Sequence, residues 1–250
     1  MSAVLLESDV RRIWAAVRFA DAASSQPIDG VLEVHAPGTR WLRNRSGLHV
    51  LMQIDEPFAR RTEFAAYEDS FDPVPALAPL TLEASVADPL GRYLPRRFAI
   101  ELPRAALPDG PAAPRFQPLD VRLDPAPAAS LLPTWAVLRI SLRHAGRPAA
   151  HVALRLQAPG GGRAFGRGAS DARGEALVVA AGIAQLSVGD GAVVVQREVS
   201  AELVASFDPA APPGQIPDPD TLAQRTDVLR KTVNLNLASG RTESLRIDLP

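Results

Sequence analysis

The sequence reads as if written twice. Trp14-Ala15-Ala16-Val17-Arg18-Phe19 returns as Trp135-Ala136-Val137-Leu138-Arg139-Ile140, and a proline follows thirteen residues after each tryptophan, at Pro27 and Pro148. Alternating segments come next, at 31–35 and 152–156, each running into Ala-Pro-Gly at 36–38 and 158–160. A polar turn ending in glycine then leads into an apolar stretch: Asn44-Arg45-Ser46-Gly47-Leu48 in the first half, Ser170-Asp171-Ala172-Arg173-Gly174-Glu175 in the second. A closing hairpin is predicted for each half, 81–87 turning at Gly91-Arg92 into 98–103, and 232–238 turning at Gly240-Arg241 into 245–250. The offsets grow from 121 to 122, 127 and about 150, as expected of a duplication whose loops lengthened unequally.

Within each half the dominant rhythm has a period of two. Residues 81–86, 137–143 and 232–237 alternate apolar with polar side chains, which suits strands buried on one face. With 24 Pro and 17 Gly among 250 residues, turns are frequent. That share still lies short of the roughly 25–30% that marks a disordered composition. The expectation is therefore an all-β chain of antiparallel sandwiches, one at 1–104 and one at 134–250. A Pro-rich linker at 105–133 joins them, and its segment Leu119-Asp120-Val121-Arg122-Leu123 alternates well enough for one strand. Helix signals are few: Asp220-Thr221 predicts a capped helix over 222–231, and Ser8-Asp9 a short turn before Trp14. Trp14 and Trp135 hold equivalent strand positions and are expected in the core.

In the second half, Gly146-Arg147-Pro148, the strand at 152–156 and the turn from Ser170 through Asp171 and Gly174 to Ala176 resemble the transthyretin-like (prealbumin-like, carboxypeptidase regulatory-like) domain. That family's pattern is Gly-x-Pro, an alternating strand, and a Thr/Ser-Asp-x-x-Gly turn into the next strand. The resemblance covers residues 135–179 and implies a fold of two tandem Ig/prealbumin-like antiparallel Greek-key sandwiches, each of seven strands. The turn also has a direct physical reading, since glycine takes the positive φ and the Asp carboxylate can accept neighbouring backbone donors. In the first half Asn44 and Ser46 stand where that aspartate would be.

Several functions are disfavoured. Zero cysteines exclude disulfides, thiolate metal sites and a cysteine nucleophile, and a net charge of −1 removes the global basicity of a nucleic-acid coat. Val4-Leu5-Leu6 is followed at once by charged residues, so no secretory leader and no membrane span is expected, and synthesis is placed in the cytoplasm. Two enzyme groups built on related sandwiches lack their motifs here. The chain has no C-terminal Tyr-Arg-Gly-Ser of hydroxyisourate hydrolases, and it has only Tyr67 and Tyr93 and no His-x-His for the iron of intradiol dioxygenases. His35 and His49 could face each other across a sheet as half a metal site, but no third ligand follows at metal spacing. The run from Gly160 to Gly168 lacks the following helix of a phosphate-cradling loop, which favours a hairpin or a loop that touches a partner. No Gly-x-Ser-x-Gly elbow accompanies the scattered Ser, His and Asp. A non-enzyme without cofactor or metal is expected.

Arginine beside aromatic residues is typical of protein interfaces. Two such clusters, Arg40, Trp41, Arg43 and Arg45, and Arg92, Tyr93, Arg96 and Arg97, form the candidate contact surface. The segments Arg43 to Gly47 and Leu94 to Phe98 resemble accessory proteins of phage-tail-like contractile injection particles. The resulting expectation is an adaptor subunit of a large protein assembly, with other protein subunits or further copies of itself as partners, made in the cytoplasm and released with a particle. The alternative is a stand-alone recognition module for a carbohydrate or peptide.

Overall fold

A computed structural model describes residues 13–55, 79–104, 117–183, 186–188, 193–195, 198–212 and 214–250. Two compact units emerge, the first drawn from Met1–Arg18, Val34–Ala84 and Ala99–Val121, the second from Phe19–Glu33, Ser85–Phe98 and Arg122–Pro250, a division that falls inside several strands. The turn predicted before Trp14 and Tyr67 lie outside the described residues.

The described structure is all-β apart from one short helix. The strands of the first half are β1 (Ala15–Asp21), β2 (Glu33–His35), β3 (Thr39–Arg43), β4 (His49–Ile54), β5 (Leu80–Ala87), β6 (Arg96–Leu102) and β7 (Leu119–Leu123). They form one sheet ordered β3-β4-β1-β7 and another ordered β2-β5-β6. In the first unit the period-two pattern places Trp14, Val17, Leu51, Leu82 and Ile100 in the interior. The Trp14 backbone N–H bonds the Leu51 carbonyl at 2.9 Å.

The second unit contains β8 (Ala136–His144), β9 (Arg147–Pro148), β10 (Ala153–Gln157), β11 (Ala164–Ala169), β12 (Glu175–Ala180), β13 (Leu186–Val188), β14 (Val193–Val195), β15 (Val199–Phe207), α1 (Pro219–Gln224), β16 (Leu229–Leu237) and β17 (Thr242–Leu249). Two sheets, β11-β10-β15-β16 and β12-β8-β17, enclose one core in a sandwich-like arrangement. Leu138, Ile140 and Leu142 of β8 meet Leu154 and Leu156 of β10 and Leu203 of β15 in it. Fully burying one such leucine contributes roughly 1.5–3 kcal/mol. A smaller cluster covers the opposite face of β8 and β12, where Trp135 packs half-buried on Val137, Leu177 and Val179. Trp135 thus covers an outer sheet face, whereas Trp14 is enclosed.

Three further sequence expectations change. The 232–250 segment is not a hairpin: β16 bonds β15 in antiparallel register, while β17 runs parallel to β8 in the other sheet, so the Gly240-Arg241 turn carries the chain between sheets. In the sheets, β7 stands beside β1 and β17 beside β8. Their sequences Val121-Arg122-Leu123-Asp124 and Leu245-Arg246-Ile247-Asp248 match at an offset of 124. The helix covers Pro219–Gln224 rather than 222–231, because Asp218 is its cap and accepts from the Asp220 N–H, while 229–231 already belong to β16. His35 on β2 and His49 on β4 occupy different sheets, so they do not face each other on neighbouring strands.

The glycine turns repeat in atomic detail. Asp171 Oδ1 accepts from the Arg173 and Glu175 N–H groups at 2.8 and 2.9 Å, and Gly174 takes φ +76°. Asn44 Oδ1 accepts from the Ser46 and Leu48 N–H groups at 3.0 and 2.9 Å, and Gly47 takes φ +77°. Each side-chain oxygen satisfies the donors two and four residues on, so asparagine replaces aspartate without changing the turn. Ser170, before the second turn, is buried and ties it inward by accepting from the Val152 N–H and donating to the Ala149 carbonyl.

Candidate functional site

The two candidate interface clusters lie in different units. Arg40, Trp41 and Arg43 stand on β3, which ends its sheet among the described residues, and Arg45 is exposed in the turn beyond it. A register shift between Arg40 and Trp41 bends this edge. The half-buried Trp41 indole donates to Thr39 Oγ1 at 2.9 Å, which fixes its ring, and Leu42 is 56% exposed between the arginines.

In the second unit, Arg92 donates to both oxygens of Asp88 and lies 5.8 Å from the Tyr93 ring. That pairing holds the Asp88 carboxyl below the ordinary carboxylate range. Tyr93 donates to Asp21 Oδ2 at 2.9 Å, and its phenol is pushed up to about 12 by burial and by the Asp21 carboxylate. Arg97 is half-buried. Arg96 is only 5% exposed, so its guanidinium is not offered to a partner.

Arg96 instead centres a network of charges. It donates to Asp218 Oδ1 at 2.6 Å, Asp220 Oδ2 at 2.9 Å, the Arg122 carbonyl at 2.7 Å and the Arg97 carbonyl at 3.2 Å. Arg167 on β11 donates to Asp124 at 2.9 Å through Nε and to Asp220 through Nη1. Burial disfavours the Arg167 charge, but Asp124 and Asp220 more than offset this and raise its pKa. Burial likewise works against the Asp220 carboxylate, and Arg167 and Arg96 overcome it, so its pKa falls. The network fixes α1 against the sheet through residues up to 124 positions apart, a pairing no local pattern announces.

Beside this network is a cavity of about 550 Å³ within the second unit. Its walls are the loop after β1 at Ala22–Ser25, the strands β10 and β11, and α1, with Arg122, Arg155, Arg167 and Asp220 among its lining. The glycine-rich run separates into two parts here. Ala158 to Arg163 forms the hairpin turn between β10 and β11, as expected. Gly166 and Gly168 are strand residues, and a Cβ on either would overlap the Val179 or Leu177 carbonyl oxygen of β12. They permit a close approach of backbones rather than cradling a phosphate. Among the described residues no cluster of three or more His, Asp or Glu could hold a metal ion, and no helix is long and apolar enough to cross a membrane.

No protein-family model matches the chain, and no curated protein matches its sequence. Among solved structures, it is similar to the Bacillus anthracis TIE protein, at 9% identity and a TM-score of 0.25 over 98% of this chain and 41% of that one. It is also similar to a candidate adhesin from Bacteroides ovatus, at 9% identity and a TM-score of 0.20 over 99% of this chain and 95% of that one. The chain thus spans about 41% of the TIE protein's length. At these scores neither likeness carries an argument.

Proposed function

We propose that this chain is a non-enzymatic adaptor subunit of a larger protein assembly, of the phage-tail-like contractile injection type. The observation that carries the reading is the β3 edge. An exposed Leu42, flanked by Arg40 and Arg43 and beside a fixed Trp41, sets the side chains that dominate protein interfaces on a strand that ends its sheet among the described residues. The partner is another protein subunit, docked along β3 by strand addition or side-chain packing.

The same proposal includes two duplicated transthyretin-like sandwiches. In its favour are the matching Asn44 and Asp171 turns and the places of β7 and β17 beside the first strand of each half. Tagged protein recovered from its native cell should elute with a stoichiometric partner or particle in gel filtration and appear as a defined assembly in negative-stain images. Leu42→Glu should release that partner without lowering the melting temperature. A lone monomer from native cells, or an unchanged complex in Leu42→Glu, would overturn the reading.

A further inference from the structure

The cavity of the second unit contains a charge imbalance that the fold does not repair. Antiparallel register sets Arg155 of β10 directly opposite Arg167 of β11. Like charges in that position repel. Arg167 is neutralised by Asp124 and Asp220, whereas the guanidiniums of Arg155 and Arg122 have no hydrogen-bonding or ionic partner among the described residues. Both line the same cavity and both are exposed. The acidic groups nearby are already engaged: Asp220 is shared by Arg96 and Arg167, and Asp218 is held by Arg96 and by its helix cap. What remains to an incoming ligand is positive charge.

We propose that this cavity binds a small organic anion whose carboxylate or phosphate is held by Arg122 and Arg155. Guanidinium is suited to either group because its planar donors match paired oxygens. The volume of about 550 Å³ falls within the range of roughly 300–1,000 Å³ usual for small-molecule pockets. Ala22, Ala153, Ala164 and Gly182 keep the space open by their small size, and Gln224 at the rim can bond the neutral part of the ligand. This site is separate from the β3 edge, and either can stand without the other.

The test is calorimetric titration of the full chain at low salt with inorganic phosphate, glucose 6-phosphate, glucuronate and glucose. Binding of at least one anion but not of glucose is expected, with the phosphate and carboxylate arms deciding which group is preferred. Arg155→Gln and Arg122→Gln should each weaken that binding at least tenfold, and added salt should weaken it in the wild type. Because Arg155 opposes Arg167, Arg155→Gln should melt at or above the wild-type temperature. Absence of anion binding at millimolar concentration, equal binding of glucose, or wild-type affinity in Arg155→Gln would overturn the proposal. A lowered melting temperature in Arg155→Gln would assign that residue to the fold instead.

Discussion

Replacing Arg96 with methionine tests whether the Arg96 network holds the second unit together. The change keeps much of the buried stem and removes four donated contacts: those to Asp218, Asp220 and the carbonyls of Arg97 and Arg122. Breaking a buried ion pair from one side costs about 3–5 kcal/mol. Two facts place Arg96→Met at the low end. Asp218 keeps the Asp220 N–H and Thr221 Oγ1, and Asp220 keeps Arg167 with its side chain 49% exposed to water, so neither carboxylate is orphaned. A loss of about 3 kcal/mol is expected. At the roughly 2–4 °C per kcal/mol typical of chains this size, that is about 6–12 °C in melting temperature. Urea titration with Arg163→Met as the exposed control measures it, since Arg163 is exposed in the turn between β10 and β11. A change in Arg96→Met no larger than the control's would mean that the guanidinium's desolvation cancels its pairing and that the network does not hold the unit together.

Three further outcomes follow from the same structure. Gly168→Ala should cost roughly 3 kcal/mol by urea titration, because its Cβ has no space beside the Leu177 carbonyl; Gly160→Ala, at positive φ but in open space, should cost only about 1 kcal/mol. Equal losses would return both glycines to a flexible loop. Asp171→Asn should leave stability nearly unchanged, as Asn44 serves the first turn, whereas Asp171→Ala should lose about 1 kcal/mol; circular-dichroism melting distinguishes them. Asp220 has a folded pKa below its unfolded one, so its stabilisation is full above the ordinary carboxylate value and fades as pH falls through the lower folded value. The stability gap between wild type and Asp220→Asn should therefore be present at pH 7 and shrink steadily as the pH falls below the ordinary carboxylate value, and a gap independent of pH would contradict the assignment.

The sequence displays its local physics clearly and its pairing poorly. The alternating apolar residues of β8 and β16 and the glycine turns at Gly47 and Gly174 follow from neighbours a few positions away, and these are where expectation and structure agree. The turn at Gly240 has hairpin chemistry, yet the same turn can hand the chain to the other sheet. The choice rests on β8, over a hundred residues earlier. Arg96 read as a surface arginine because nothing near it in sequence is its partner; Asp218 and Asp220 reach it only in the fold. The glycines at 166 and 168 did carry a signal, since two glycines at strand period leave one face bare. Likewise, the match of Val121 to Asp124 with Leu245 to Asp248 points to β7 and β17, the strands that stand beside β1 and β8.

The parallel pairing of β17 with β8 also sets a timetable for synthesis. Thr242 lies opposite Val137, so the ribosome must add 105 more residues before β8 gains this neighbour. At roughly 5–20 residues per second the wait is about 5–20 seconds. Throughout it one edge of β8 offers unpaired amides and carbonyls to any other nascent chain. Conditions that slow translation lengthen that window, and chaperones that shield strand edges shorten its effect. Recovery of folded protein is then governed by a race between elongation and association, decided before the finished molecule exists.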